Sequence, residues 1–175
     1  MSGTDQAPCR RLVADDAVAY RRLRLAALRE SPASFGSAYE DEEPITPASW
    51  AAFIAGSEER VFFGALAGAG LVASVGLERE AGRKERHRAF VRSMYVQPER
   101  RGLGLSRRLL GLALDCAAGW VGVEQITLAV TTSNAAAQAL YRSVGFVEYG
   151  VAPRALCVAG SYHDESLLVK HLGAA

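Results

Sequence analysis

Lysine is nearly missing from this chain: of twenty Lys and Arg side chains, only Lys84 and Lys170 are lysines. Nineteen Asp and Glu bring the formal charge to +1, so no field of one sign exists to recruit nucleic acid or an anionic membrane. Cysteine is scarce too. Cys9, Cys116 and Cys157 are odd in number and far apart, which argues against a disulfide framework or a close-spaced zinc or redox pair and for a reducing, cytoplasmic setting. His87, His163 and His171 form no close ligand pair, so no metal is expected. No run reaches the ~20 apolar residues that span a bilayer, and the first eleven residues lack the apolar stretch of a secretory leader. A soluble chain without repeats or low-complexity tracts is expected.

What the chain does have is apolar bulk. Its 175 residues are 50% hydrophobic and 22% charged, enough for one domain over residues 1–175 with its own core. A short strand is expected at residues 10–13, then a helix over 18–28 that Ser31-Pro32 stops. Pro32, Gly36, Pro44 and Pro47 make much of residues 31–47 loop, and Thr46-Pro47 caps a helix over 48–54. Residues 61–67 and 71–77 read as a hairpin, with Leu71, Ala73, Val75 and Leu77 on the better-buried face. Further strands are expected at 88–96, 126–130, 146–151 and 162–172. Helices are expected at 104–118, with Gly119 as C′ residue, and at 134–144, closed by Gly145. Leu105, Leu109, Leu112 and Cys116 would dock the first of these on the sheet. The order describes an α+β fold, a mixed and mostly antiparallel sheet flanked by helices.

One segment carries chemistry. A strand ends in Met94-Tyr95-Val96, Pro98 blocks further pairing, and Arg101-Gly102-Leu103-Gly104-Leu105-Ser106 opens a helix. Gly102 and Gly104 have no Cβ, so their backbone can approach a ligand closely. The first N–H groups of a helix lack internal partners and carry its positive end. Together these make an anion cradle suited to phosphate, with a ligand-free tight turn as the alternative. A P-loop would need Gly-Lys-Ser/Thr, and a dinucleotide fingerprint a glycine where Arg107 stands; neither fits. Asn134 and Tyr141, seven apart on the later helix, sit within roughly 20° of one face and about 10 Å apart along the axis. One elongated ligand could touch both; capping by Asn134 and core packing by Tyr141 is the alternative.

These two blocks resemble the signatures of the GNAT-type N-acetyltransferases. The first (motif A, residues 88–118) follows the family's acetyl-CoA loop, Gln/Arg-x-x-Gly-x-Gly/Ala, with Ser106 at the last small position. The second (motif B, residues 126–146) contains every named position of Asn-x-x-Ala-x-x-Leu-Tyr-x-x-x-Gly-Phe, from Asn134 to Phe146. The resemblance implies direct transfer of acetyl from acetyl-CoA to a primary amine of a small molecule, with no metal. It implies that Met94, Tyr95, Val96, Arg101, Gly102, Leu103, Gly104, Leu105 and Ser106 bind the coenzyme, with Asn134 and Tyr141 along its arm. Tyr141 would act as general acid: a phenol of pKa ~10 stays protonated at neutral pH, and a thiolate leaving group of pKa ~8.5 gains from a proton. A backbone N–H near Tyr95 or Val96 would face the thioester carbonyl. The strand from 88 to 96 holds no carboxylate, so Glu78, on the strand before it, is the candidate base, acting through water.

Residues 34–43 fall where the family builds its acceptor site, and their opening resembles a Pro-x-x-Phe-Gly-Ser stretch of bacterial members. Phe35 and Tyr39 would wall a pocket, while Glu40 and the acids after it would attract a cationic amine, polyamine-like or amino-acid-like. A solvated acidic loop is the alternative. Acetylation of a protein or peptide amine, or a silent acyl-CoA sensor on the same fold, are the rival functions. The basic run 83–88 reads as a solvated turn and His163-Asp164-Glu165 as structural. A homodimer fits the family, and no sequence feature decides it.

Overall fold

Apolar residues fill the middle strands so densely that both faces of a sheet need cover, and the computed structural model, which describes residues 7–68 and 70–173, shows how it is supplied. Seven strands form one sheet: β1 (Cys9–Arg11), β2 (Arg60–Ala67), β3 (Gly70–Arg79), β4 (Arg88–Val96), β5 (Gln125–Thr131), β6 (Val147–Val158) and β7 (Ser161–His171). Their order is β1-β2-β3-β4-β5-β7-β6, and every neighbouring pair is antiparallel except β4 with β5. The expected α+β architecture is the observed one.

Helices α1 (Ala17–Glu30) and α3 (Pro47–Ala55) cover one face, joined by the single turn α2 (Tyr39–Glu42). Tyr20, Leu23, Trp50 and Ile54 pack there against Phe62, Leu71 and Tyr95. Helix α4 (Leu105–Ala118) covers the other face, where Leu109, Leu110, Ala113 and Ala117 meet Val75, Leu77, Ala89 and Val91. Each large side chain so enclosed contributes about 1.5–3 kcal/mol. Because both faces are covered, β3 is buried without a break from Leu71 to Leu77, rather than on alternate positions.

Three expectations shift. The buried stripe of α4 runs through Leu105, Leu109, Leu110, Ala113 and Ala117, leaving Leu112 and Cys116 at its half-buried edge. Gly119 ends α4 in a right-handed conformation (φ −79°); the left-handed glycine comes three residues later, at Gly122. Strand β6 continues past Pro153 to Val158, because it is an edge strand whose pairing with β7 slips between Ala152 and Leu156.

The site is positioned by a defect. Strands β4 and β5 pair only through Arg88↔Gln125, Ala89↔Ile126 and Phe90↔Thr127. Beyond these β4 stays with β3 as far as Ala73↔Val96, and β5 stays with β7 as far as Thr131↔Glu165. The sheet therefore opens along its middle. A register slip between Ser74 and Gly76, with Ser93 held at φ +54°, turns β4 away from its parallel neighbour. The N-terminus of α4 and helix α5 (Ala135–Ser143) border this gap. Across it, Thr131 Oγ1 donates to the Ala33 carbonyl and ties the α1–α2 loop to the end of β5. Among the described residues no helix is long and apolar enough to cross a membrane.

Candidate active site

The gap is a cleft of about 480 Å³, and it gathers most of the residues singled out in the sequence. Met94, Tyr95 and Val96 line it from β4; Arg101, Gly102, Gly104, Leu105 and Ser106 from the loop and first turn of α4; Asn134 and Tyr141 from α5. Leu103 is not among its walls; its side chain projects outward, 59% exposed.

Gly102 and Gly104 sit at φ +77° and +76°, and a Cβ on either would meet nothing within 4 Å. Backbone shape, not crowding, therefore calls for glycine, and the space in front of these amides is open. The first internal bond of α4 runs from the Arg108 N–H to the Gly104 carbonyl, 3.1 Å. Helix geometry leaves the N–H groups ahead of it without intrahelical partners. No acidic side chain lies in that first turn, and no side chain caps it. The cradle fits a pyrophosphate. Arg101 contributes backbone to the loop, but its side chain is a strap: Nε donates to the Val96 carbonyl (3.1 Å) and an Nη to Glu30 (2.9 Å).

Val96 faces the gap for a reason visible in the ladder. The Gln97 N–H bonds the Val72 carbonyl at 2.9 Å, and bonded and non-bonded pairs alternate in an antiparallel ladder. Val96, opposite Ala73, thus turns its N–H and C=O away from β3, to the side that β5 has left.

Asn134 both caps α5 and lines the cleft. Its Oδ1 accepts from the Ala137 N–H at 3.1 Å, which leaves its amide NH₂ for another partner. Tyr141 is 6% exposed and packs edge-on against Phe146 at 5.9 Å. Its hydroxyl bonds no described residue, and burial pushes the phenol up to about 12. Such a group keeps its proton across the physiological range.

On the α1/α3 face the gap opens into a second groove of about 490 Å³. Phe35 stands at the junction, lining both spaces, with its ring 6.4 Å from that of Tyr95. Glu165 of β7 lines this groove without a hydrogen bond or ion pair among the described residues, and burial raises its carboxyl above the ordinary value. Of the triplet His163-Asp164-Glu165, only Glu165 reaches the groove.

The structure does not bring Glu78 to either space. Its carboxylate bonds Arg92 (2.8 Å) and lies 3.9 Å from Arg60, opposite Phe90 on the far half of β4. Tyr39 and exposed Glu40 line a neighbouring groove, against residues 155–159 at the end of β6, which shares Phe35, Gly36 and Ser37 with the second groove. The Tyr39 phenol accepts from Arg29 at 2.6 Å, and Arg29 stacks on its ring. The acidic loop is likewise largely consumed: both oxygens of Glu42 accept from Arg24, and Glu43 holds Arg21. Sequence reasoning places Trp50 only in the core or its rim, and it misses Arg24, Arg92 and Ser93, because nothing local announces which side chains a helix or a slipped strand will carry to a sheet opening. Among the described residues, no group of three or more His, Cys, Asp or Glu could hold a metal ion.

Comparison with known proteins identifies the family to which this fold belongs. Residues 19–146 match the model of the acetyltransferase (GNAT) family. The chain is 38% identical over 120 residues to the N-alpha-acetyltransferase RimI of Mycobacterium tuberculosis, covering 69% of this chain and 72% of that one. A GNAT-family acetyltransferase of Streptococcus pneumoniae superposes with a TM-score of 0.82 at 22% identity, over 95% of this chain and all (100%) of the other. The Salmonella typhimurium protein yncA, solved with its cofactor acetyl-CoA, gives a TM-score of 0.83 at 18% identity, over 97% and 96% of the two chains. With the parted sheet, the glycine cradle and the buried tyrosine in place, the chain belongs to the GNAT family of N-acetyltransferases.

Proposed function

We propose that this chain transfers the acetyl group of acetyl-CoA directly to a primary amine of a small molecule. The observation that carries the reading is the single cleft in which the glycine cradle, the outward-turned Val96 amide and the Tyr141 phenol meet. Acetyl-CoA supplies an acetyl activated as a thioester. The amides at Gly102, Gly104 and the first turn of α4 hold its pyrophosphate, and the Asn134 amide holds its polar arm. The Val96 N–H faces the carbonyl oxygen on which charge develops, a contribution of about 3–4 kcal/mol for a preorganised donor.

Tyr141 donates to the departing sulfur. A phenol near 12 is a weaker acid than a thiol near 8.5, so full transfer of its proton costs about 5 kcal/mol before the sulfur's own environment is counted. Tyr141 therefore acts first as a hydrogen-bond donor to a developing thiolate. Glu165, partner-free and raised by burial, takes the proton of the incoming ammonium, a role that the position of Glu78 does not support.

Thiol release from acetyl-CoA over a panel of amines tests the reading. Tyr141→Phe should lower kcat by about 10- to 1000-fold with little change in acetyl-CoA affinity. Unchanged turnover at saturation would remove Tyr141 from the chemistry. The similarity to RimI favours a second reading, in which the acceptor is the terminal amine of a protein. Turnover of short peptides well above that of free amines would select it.

A further inference from the structure

Beside the acceptor groove lies a smaller cavity of about 300 Å³, between α1, α3 and β4, within the usual size of a small-ligand site. Its walls are Tyr20, Ile45, Trp50 and Phe53 on the apolar side and Arg24, Glu42 and Arg92 on the polar side. Arg24, Arg92 and Ser93 line both this cavity and the groove, so the two spaces adjoin.

Two hydrogen-bond donors are orphaned in these walls. Trp50 is 3% exposed and its indole Nε1 has no partner. Arg24 is 7% exposed; its Nε and one Nη bond Glu42, while the other Nη has none. A buried donor left unpaired costs about 1–3 kcal/mol, and such groups are rare enough in native proteins to need a reason. Both oxygens of Glu42 are already taken by Arg24, so the cavity offers donors and few acceptors. Arg92 adds a guanidinium of which one nitrogen alone is bonded, to Glu78. Across Ser93, the groove holds a single carboxylate, Glu165. Among the described residues, Arg24, Glu42, Arg92 and Glu165 are the charged groups lining the two spaces. Their arrangement, unpaired donors in the cavity and at its junction with the groove and a free carboxylate in the groove alone, is that of a site for a zwitterion.

We infer that the acceptor is a small primary amine that also bears a carboxylate: Glu165 receives its ammonium, while Arg24, Trp50 and Arg92 receive its carboxylate among the aromatic walls. The inference deepens the acetyl-transfer reading and rests on it for the fate of the amine.

The test pairs apolar amino acids with the amines that lack only the carboxylate, phenylalanine with 2-phenylethylamine and leucine with 3-methylbutylamine. Binding is read from tryptophan emission and turnover from thiol release. The acid of a pair should bind saturably and exceed its amine in both affinity and kcat/KM by about 10- to 100-fold, the value of hydrogen bonds to a charged group. Trp50→Phe keeps the ring and removes the N–H; Arg92→Met removes the accessible charge. Each should shrink the acid-to-amine ratio of kcat/KM by about 10-fold. Equal ratios in wild type, ratios unmoved by both variants, or failure of every acid to bind would overturn the assignment. Saturable binding of the acids without any thiol release would instead support the site and refute acetyl transfer, so the two readings fail separately.

Discussion

Replacing Gly104 by alanine separates what the cradle does for the fold from what it does for a ligand. At φ +76° an L-residue pays about 1–2 kcal/mol for the left-handed conformation. A new Cβ would meet nothing within 4 Å, so no clash adds to that strain. For a domain of this size the cost appears as a fall of about 2–8 °C in Tm. Gly160, in the turn between β6 and β7, is the matched control: it sits at φ +82°, and its Cβ would also enter open space. Gly160→Ala should cost the same stability. The two variants should part company in calorimetry with acetyl-CoA. The Cβ of Gly104→Ala occupies the space through which a phosphate reaches the amides, and one lost amide–phosphate bond, at about 1.5–3 kcal/mol, raises Kd about 10- to 100-fold. Gly160→Ala should leave Kd within about twofold, the ordinary effect of a remote surface change. Equal Kd values for the two variants, with both folded, would refute the assignment of the Gly102–Gly104 amides to a diphosphate.

Two further outcomes follow from the charged groups of the acceptor side. Because burial raises the Glu165 carboxyl and no cation among the described residues is bonded to it, kcat/KM should show an acid limb above the ordinary carboxylate value; Glu165→Gln should abolish that limb and lower kcat/KM by about 100-fold. Burial alone would raise Glu42, but the two bonds and the charge of Arg24 outweigh it and hold the carboxyl below its ordinary value. That pair's stabilisation is therefore complete above the unfolded value near 4.3 and drains away as pH falls through the lowered one. Glu42→Gln strands a buried guanidinium and should cost about 3 kcal/mol at neutral pH, with a shallower loss of Tm from pH 5 to 3 than wild type.

What was legible in the sequence is what the backbone carries. Gly102 and Gly104 announce left-handed positions, Pro98 the end of a strand, and Asn134 a cap, because each acts through its own φ, its missing donor or its neighbouring N–H. Strand β4 was read to its bounds and α4 to within a residue for the same reason. Side-chain pairing was not legible. Glu78 and Glu40 look like free carboxylates in the sequence, yet Glu78 is bound to Arg92 across the β3–β4 ladder, and Glu40 is exposed in a groove that touches the glycine-lined cleft only through Phe35. Glu165 looked incidental, since only the sheet order, which sets β7 beside β5, brings it to the opening. Eighteen arginines facing nineteen carboxylates cannot be sorted into pairs by spacing alone.

The parting of β4 from β5 links these observations. Separating two central strands forfeits ladder bonds, and an unpaired buried backbone group is costly, so a sheet keeps such a gap only where other partners are at hand. Here β7 takes the far edge of β5, β3 holds β4 through a slipped register, and Thr131 is tied to Ala33. Val96 is left facing the gap, its carbonyl held by Arg101 and its N–H without a strand to meet. A ligand with amide groups in an extended arm would supply what the missing ladder does not. The gap also joins the two faces of the sheet at one short stretch, Ser93 to Val96: the cradle of α4 opens onto it from one side, and the arginine-lined cavity of α1 and α3 from the other. The cavity reaches this stretch at Ser93 and the cleft at Met94, Tyr95 and Val96, so two ligands entering from opposite faces would meet at adjoining residues of one strand.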